Sequence, residues 1–410
     1  MPRRPDRMTA IGFGVVAISA VIYWWVSKDF DAFRGDFFYL ADAFLHGRTW
    51  LDFQPGPNDV IVGPDGHFFV PFAPFPAIAL MPLVAVTGPV TADEIESGIN
   101  SLLAASTVGM GWWLLGRMGV QRVWDRIWLV ALLGFSTQIL WITTRGGVWH
   151  TGQLIATLLT LGCLIELWGK RRAWLIGLLA GAAFLTRAPL AFAVPFYALM
   201  LLPDGAPTST ADLRAYVRGG VAGIPWRSWV WLAAGVFPSI AFFFLYNQLR
   251  FDNPLESGYA LATLPPWLEA IREQGLFSLA HVPMNLDYLF LHLPIVDESI
   301  GFPFLRPDGL GMSVFLTTPG LLFAVRADWR RPLPWLLLGT AVFVLIPTLL
   351  YYGGGWLQYG YRYFLDSIPF IWAICGMAAV YRSGVSWPWR AVIAIGLVIM
   401  AWAPHWAYRI

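Results

Sequence analysis

Long apolar runs, separated by short polar or basic stretches, follow one another along almost the whole chain. A run of about 20 apolar residues can cross the hydrocarbon core of a bilayer as an α-helix, whereas a β-barrel would show short alternating segments. The pattern therefore predicts an all-α, polytopic transmembrane helix bundle of about eleven spans. The predicted spans lie at roughly residues 9–27, 99–116, 127–143, 150–168, 174–186, 188–202, 229–247, 311–326, 334–351, 366–381 and 391–405.

The stretch 71–87 is apolar but contains four prolines, and its placement decides the topology. Three arginines before the first span place the N-terminus in the cytoplasm by the positive-inside rule. If 71–87 does not cross the membrane, all the later basic loops fall inside as well. We therefore predict that 71–87 is juxtamembrane, that the C-terminus is external, and that three further stretches are external. These are the first segment (28–98), the second segment (248–310) and the third segment (352–365).

The composition is that of a membrane protein. We expect residues 1–410 to form a single transmembrane domain. Hydrophobic residues make up 57% of the chain and charged residues 13%, against about 25% charged in soluble domains. The net charge of +2 gives no reason to expect a nucleic-acid partner. Cys163 and Cys375 both lie in apolar runs, and no Cys/His cluster has zinc spacing, so we expect neither a disulfide nor a zinc site.

Two aspartates stand in the amphipathic stretch "FRGDFFYLADAFLHGRTW" (33–50), just after the first span. Asp36 and Asp42 are six residues apart, so on a helix they point in different directions. Asp36 would serve as an ordinary helix N-cap, as a general base for an incoming hydroxyl, or as a metal ligand. Asp42, on another face, is expected to be structural or a minor acceptor contact.

Three more polar residues lie at predicted outer helix ends. Arg145 and His150 belong to "TTRGGVWHTGQL" and would be a snorkelling arginine and a helix-end histidine, or ligand-binding groups. Arg187 interrupts the apolar run "GLLAGAAFLTRAPLA". An arginine at the bilayer centre costs about 2.5–3.5 kcal/mol on insertion scales, so Arg187 should face protein, water or an anion. A lipid phosphate and a carboxylate of another helix are the two alternatives.

The second and third segments each contain a stretch with candidate binding groups. "YNQLRFDNPLESGYA" (246–260) has turn signals and supplies Glu256 and Tyr259. "GGGWLQYGYRYFLDSIPF" (353–370) supplies Tyr361 and Arg362 after three glycines. The latter stretch is either a hinge with an interfacial aromatic belt or an Arg-Tyr phosphate site with aromatic platforms for sugar rings.

In order along the chain, several motifs resemble the GT-C superfamily of bacterial membrane glycosyltransferases, near family 39 and its arabinosyl- and mannosyltransferase relatives. "GDFFYLADAFLHG" resembles that family's first external loop, and "FFVPFAPFPAIALMPL" resembles its proline-rich juxtamembrane element. "VWHTGQLIATLLTLG" and "GLLAGAAFLTRAPL" resemble a His-containing helix start and a Gly-rich helix that ends in Arg-x-Pro. "YNQLRFDNPLESGY", "GLGMSVFLTTPGLL" and "GGWLQYGYRYFLDSIP" resemble the late motifs.

The resemblance implies a transmembrane bundle with juxtamembrane helices in the first external loop, in the plasma (inner) membrane. Such enzymes transfer a sugar, with inversion, from a polyprenyl-phosphate-linked donor to an acceptor hydroxyl on the external face. Carried over to this chain, Asp36 is the general base and Arg187 and Arg362 bind the donor phosphate, with His150 as a secondary candidate. The acceptor would be a lipid, a glycan or a protein. The other candidates are Arg145 and Tyr361 for the donor, and Asp42, Glu256 and Tyr259 for the acceptor or loop contacts.

The chain departs from the family pattern at two places. Asp252 and Asn253 stand where that pattern prefers a glycine, and the first segment has Gly35-Asp36 where some relatives have a paired Asp-Glu. No cofactor is expected, and the single acid leaves a divalent metal open as an alternative without a clear ligand set. Two other classes stay open: a lipid or sugar transporter or flippase, and a silent scaffold. A transporter should concentrate charges or broken helices near the bilayer midplane, whereas these charges gather at one face.

Overall fold

Helices dominate the computed structural model, which describes residues 7–29, 35–54, 61–63, 65–202 and 225–406. Four of the basic residues used for the topology, Arg3, Arg4, Arg214 and Arg218, lie outside these ranges. The helices are α1 (Arg7–Ser27), α2 (Asp36–Leu45), α3 (Phe75–Thr87), α4 (Pro89–Glu94), α5 (Glu96–Met118), α6 (Val123–Phe135), α7 (Ile139–Arg145), α8 (Val148–Leu167), α9 (Ala173–Phe184), α10 (Val194–Met200), α11 (Trp226–Phe251), α12 (Pro266–Arg272), α13 (Val282–Leu286), α14 (Val314–Thr317), α15 (Pro332–Leu350), α16 (Ile368–Tyr381), α17 (Trp387–Ala401) and α18 (Ala403–Trp406).

Short elements complete the connections. The 3₁₀ turns are Ala188–Ala193, Leu279–His281, Glu298–Ile300, Pro319–Arg326 and Arg362–Asp366, and one π-helical turn covers Asp287–Leu291. Two antiparallel two-stranded ribbons also form: β1 (Ile61–Val62) with β2 (Phe68–Phe69), and β3 (Ile295–Val296) with β4 (Leu305–Arg306). The ribbons lie in the first and second segments, outside the apolar helices.

Five described helices are long and apolar enough to cross a bilayer: α1, α8, α11, α15 and the stretch Trp387–Trp406 formed by α17 and α18. A sixth crossing results if α6 and α7, bent by 48° at their junction, count as one span. The described part of the chain thus has the helices of a multi-pass membrane protein. Four more apolar helical stretches are 10–17 residues long: Phe75–Thr87, Ala173–Phe184, Ala188–Met200 and Ile368–Tyr381.

The count of eleven spans is not reached by these long helices, and one predicted span has a different structure. Residues 311–326 do not form a continuous α-helix, because α14 has four residues and a 3₁₀ turn begins at Pro319. Proline has no N–H for the helical ladder, so a helix tends to break at such a position. The juxtamembrane prediction for 71–87 stays a prediction, although the 13 residues of α3 span only about 20 Å, less than a hydrocarbon core of about 30 Å.

Helix α8 forms the centre of the bundle and is buried along most of its length. Buried aromatic donors link the surrounding helices to one another. The Trp372 indole N–H of α16 donates to the Leu129 carbonyl of α6 at 2.7 Å, and the Tyr23 hydroxyl of α1 donates to the Gly134 carbonyl at 2.7 Å. Buried indole and phenol groups need such partners, and here they fix the register of three helices.

Helices α9 and α11 approach each other so closely that only glycine fits at the contact. A Cβ placed on Gly177 would clash with the Leu232 carbonyl and lie 2.9 Å from the Gly235 Cα, and a Cβ on Gly235 would clash with the Trp174 carbonyl. Gly177 begins a Gly-xxx-Gly pattern with Gly181. Small residues at this spacing let membrane helices pack backbone to backbone, which explains the Gly-rich helix seen in the sequence.

The first segment has a small apolar core of its own. Helices α2, α3 and α4 share a cluster that includes Phe38, Leu40, Ala77 and Val84, and Val148 at the start of α8 belongs to the same cluster. The amphipathic helix predicted for this segment is therefore confirmed as α2. Its buried face places this layer of helices against the N-terminal end of α8.

Candidate active site

Asp36 is the first residue of α2 and is completely buried. Gly35 occupies the N-cap position, so the interpretation of Asp36 as an N-cap is wrong. The positive end of the helix dipole still favours a carboxylate in this first turn. Phe37 connects α2 to α8, because a Cβ on Gly152 would lie 3.5 Å from the Phe37 ring. The catalytic candidate is thus held beside the helix that begins with His150.

Asp93, on α4, supports the N-terminus of α2 and was not singled out from the sequence. A Cβ on Gly35 would overlap the Asp93 carboxylate, and the Tyr39 hydroxyl donates to Asp93 Oδ2 at 3.3 Å. Burial raises the pKa of the Asp93 carboxyl, while hydrogen bonds from Tyr39 and from the Gly35 N–H oppose that rise. The acidic stretch "TADEIESG" (91–98) is the sequence feature that could have pointed to Asp93. Glycine at position 35 therefore leaves room for a carboxylate that orients α2.

Glu96 and Asn100, at the start of α5, form a second buried polar group that sequence reasoning missed. Both residues are at most 1% exposed. The Thr151 hydroxyl of α8 lies 2.6 Å from Glu96 Oε1 and 2.9 Å from Asn100 Oδ1. The Thr151 hydroxyl can donate to only one of these oxygens at a time, and the Asn100 side chain adds an amide donor to the group. The group joins the start of α5 to the same end of α8.

His150 lies in the first turn of α8, where two glycines shape the backbone. Gly146 and Gly147 have φ values of 63° and 90°, in a region that residues with side chains avoid, so the α7–α8 turn depends on them. The buried His150 ring donates its Nδ1–H to the Gly146 carbonyl. Arg145 and Arg362 both lie within electrostatic reach of the imidazole. Three of the predicted donor-binding residues therefore come together.

Arg362 lies in a buried aromatic setting at the start of a 3₁₀ turn. Its guanidinium carbon is 5.0 Å from the centre of the Trp149 ring and 5.0 Å from that of Tyr363, within the range of cation–π attraction. Its backbone is fixed on both sides, since the N–H donates to Gln358 Oε1 and the carbonyl accepts from Gln153 Nε2. The side chain is thus oriented by the tertiary structure, as a recognition site requires.

Arg187 is paired with a carboxylate, which was one of the two alternatives for it. Its Nε lies 2.6 Å from Asp366 Oδ1 and 2.7 Å from Oδ2. Asp366 is buried directly after the third segment, at the end of the 3₁₀ turn Arg362–Asp366, and was not singled out from the sequence. The phosphate role of Arg187 stays a prediction, and an anion bound there would have to share the guanidinium with Asp366.

Tyr363 brings the two arginines of the predicted phosphate site together. The Arg187 guanidinium carbon is 5.4 Å from the Tyr363 ring centre, and Arg362 approaches the same ring. These arginines are 175 positions apart in the chain, so only the packing of the helices makes them neighbours. Tyr361, the candidate chosen from the sequence, is instead fully buried and donates its hydroxyl to Asn285 at 3.2 Å. Tyr361 also lies within electrostatic reach of both arginines, so its role stays a prediction and Tyr363 is added to it as a candidate.

The chain was compared with protein-family models, with curated proteins and with solved structures, and nothing matches. The geometry of the chain's own residues therefore carries the functional proposal. Within the described ranges, no group of three or more His, Cys, Asp or Glu side chains is placed to hold a metal ion.

The three candidates for acceptor or loop contacts have different surroundings. Tyr259 packs edge-on against Tyr351, lies within electrostatic reach of Arg187, and burial raises its pKa to about 12. Glu256 accepts the Gly258 N–H at 2.6 Å and stabilises a local turn. Asp42 lies at the surface beside Arg48 and His46. Among these three, Tyr259 is the one within reach of Arg187, whereas Glu256 and Asp42 make local contacts and their acceptor roles stay predictions.

Proposed function

We propose that this protein is a membrane glycosyltransferase that uses a polyprenyl-phosphate-linked sugar. The observation that carries the proposal is the meeting of Arg187 and Arg362 on the Tyr363 ring, next to His150 and to the helix layer that holds Asp36. Guanidinium groups bind phosphate with short, charge-assisted hydrogen bonds, and aromatic faces accept the C–H surface of a sugar. Because the surroundings are apolar helices, a donor with a lipid tail fits this chemistry.

In the proposed reaction, the acceptor hydroxyl attacks the anomeric carbon from the side opposite the phosphate. The new C–O bond forms as the bond to the phosphate oxygen breaks, which inverts the anomeric centre. Asp36 takes the hydroxyl proton, and the arginines stabilise the charge on the departing lipid phosphate. A phosphate is a good leaving group, so one carboxylate and the arginines suffice.

We infer that the site faces the external side of the plasma membrane, with a cytoplasmic N-terminus. This follows from the arginine distribution, which puts the first, second and third segments on one side. The acceptor presents a hydroxyl group and belongs to a lipid, a glycan or a protein.

Replacement of Asp36 tests the proposal most directly. Asp36→Asn keeps the size and the burial of the side chain but removes the base, so we expect transfer from a polyprenyl-phosphate sugar to fall at least about 100-fold. Asp42→Asn is the matched control, because it removes a surface carboxylate from the same helix. Transfer would be measured with purified protein in lipid vesicles. Equal transfer by both variants, with both folded, would refute the assignment of Asp36.

One observation favours a transporter as the second candidate. Asp366 is buried and Arg187 is mostly buried among apolar helices, and such pairs mark ion or substrate pathways in transporters. Movement of a fluorescent lipid-linked sugar between the leaflets of protein-containing vesicles, without any transfer product, would favour that class.

A further inference from the structure

A cavity of about 270 Å³ lies apart from the arginine site, where the second and third segments meet the end of the chain's last described helix. Arg306, Asp308 and Leu310 line it from the second segment, and Trp356 lines it from the third. Trp406, at the end of α18, also contributes to the lining. The topology predicted from the arginines places all three of these stretches on one side of the membrane.

The polar groups of the cavity are fixed before any ligand arrives. Asp308 Oδ2 lies 2.9 Å from His292 Nε2, and Asp308 Oδ1 accepts the Leu310 N–H at 3.0 Å. Arg306 forms an ion pair with Asp297 at 3.2 Å through Nε. Such oriented donors and acceptors bind a polar ligand at low entropic cost, because little side-chain freedom remains to be lost.

Trp356 supplies an aromatic surface at the same place. Its side chain is 43% exposed, whereas the other tryptophan of the lining, Trp406, is 5% exposed. Leu357, the next residue, has a φ of 50°, which a residue with a side chain adopts at some cost. Surrounding contacts therefore hold this stretch in a conformation that leaves one indole partly open beside fixed polar groups.

The size and charge of the cavity select one class of ligand. Its volume lies just below the usual range of about 300–1,000 Å³ for ligand pockets, so it suits a single ring rather than a lipid chain. Carboxylates outnumber the cations nearby, since Asp287, Asp297 and Asp308 face Arg306 and His292. This balance disfavours phosphate and other anions. An aromatic face next to paired donors and acceptors matches the C–H face and the hydroxyls of a sugar.

The cavity is also connected to the arginine site through one residue, Gln358. Gln358 donates its backbone N–H to the carbonyl of Gly309, which lines the cavity, at 3.1 Å. Its Oε1 accepts the Arg362 N–H at 3.0 Å. A ligand that contacts residues 308–310 is therefore linked to the segment that positions Arg362.

We propose that this Trp356 cavity binds one neutral sugar ring of a glycan acceptor. Sugar binding is inferred from the cavity alone. The role of that sugar as part of the acceptor rests on the proposed glycosyltransferase function. The acceptor would reach the enzyme through this ring, and a hydroxyl elsewhere on the same glycan would be presented to Asp36.

The test is a ligand-observed NMR titration of the full chain in lipid nanodiscs with methyl glycosides of neutral hexoses and pentoses. We expect at least one glycoside to bind saturably, and methyl glucuronide, which carries a carboxylate, to bind more weakly. Trp356→Ala should weaken binding roughly five- to tenfold, because the stacking surface is lost. Trp267→Ala is the matched control, since Trp267 is a comparably exposed tryptophan of the second segment that does not line the cavity.

Two further variants make the result decisive. Arg306→Gln removes a rim cation and should also weaken binding, and it serves if Trp356→Ala does not fold. Asp36→Asn should bind the glycoside as tightly as the unaltered protein, so loss of transfer and loss of sugar binding can be told apart. The proposal is overturned if no glycoside binds, or if Trp356→Ala and Arg306→Gln bind as the Trp267→Ala control does.

Discussion

At the scale of single residues, the buried charges derive their properties from their partners. Arg187 looked like an isolated cation in an apolar run, yet Asp366 lies against its Nε. A buried ion pair adds little net stability compared with apolar residues of the same size, but the loss of one partner leaves an uncompensated charge. The pair therefore restricts substitution at both positions.

Asp366→Asn makes this restriction measurable. We expect the free energy of unfolding to fall by about 3–5 kcal/mol, because the Arg187 charge would stay buried without its carboxylate. Asp328→Asn, which breaks a surface pair with Arg331, should cost at most about 1 kcal/mol. Thermal unfolding in detergent provides the comparison. If Arg187 binds the donor phosphate, a polyprenyl-phosphate sugar should restore part of the loss in Asp366→Asn, and no restoration would argue against that role.

His292 supplies the pH dependence expected of the second segment. Its Nδ1 lies 2.8 Å from Asp287 and its Nε2 lies 2.9 Å from Asp308. Both ring nitrogens can donate only in the protonated form. Burial alone would lower the pKa of His292, but the hydrogen bonds to Asp308 and Asp287 outweigh it and raise the pKa above its usual value. Tyr288, packed edge-on to the ring, is the other titratable group in contact with it.

A raised pKa of His292 in the folded state fixes the direction in which stability changes with pH. The stabilisation is fully present below the unfolded pKa of about 6.5 and is lost as the pH rises through the higher folded value. His292→Gln should therefore destabilise the protein most at pH 5.5–6 and progressively less in alkaline buffer. Unfolding curves of both proteins over this range measure the difference, and a difference that grows with pH would contradict the assignment.

At the scale of helices, the contact between α9 and α11 is the one most sensitive to side-chain size. Gly177→Leu places a branched side chain where the Leu232 carbonyl and the Gly235 backbone lie. We expect a loss of at least about 1–3 kcal/mol, the usual cost of overpacking, because neither backbone can move independently.

Gly339→Leu in α15 is the control for this substitution. A Cβ at Gly339 meets nothing within 4 Å, and leucine is a better helix former than glycine, so its effect should be near zero or slightly stabilising. Thermal unfolding in the same detergent compares the two variants. Equal stability of both would mean that α9 and α11 do not approach as closely as described.

At the scale of the whole molecule, the arrangement in the membrane follows from one decision about 71–87. If α3 does not cross the bilayer, the loops on its two sides lie on the same face, and the chain first returns to the opposite face through α5. Single cysteines at Glu94 and Gln121, both exposed, report this in a chain whose own Cys163 and Cys375 are buried. We expect Glu94→Cys to react with a membrane-impermeant reagent in intact cells and Gln121→Cys to react only after permeabilisation. The reverse pattern would make α3 a true span.

The sequence by itself determined the class of the protein, because a hydrocarbon core demands long apolar helices whatever their packing. It also located α2, since alternation between buried and exposed positions along one helix is a local property. The prediction of one continuous span at residues 311–326 was wrong, because the high average hydrophobicity of this stretch does not show the helix break before Pro319.

Only the tertiary structure decided which polar groups meet. The pairing of Arg187 with Asp366, the approach of Arg187 to Tyr363, and the Thr151–Glu96 contact each join residues from different elements. Such contacts depend on the register and rotation of neighbouring helices, which are set by features such as the glycine contact of α9 with α11. A motif fixes which side chain is present, but the packing of distant helices fixes its partner and therefore its chemistry.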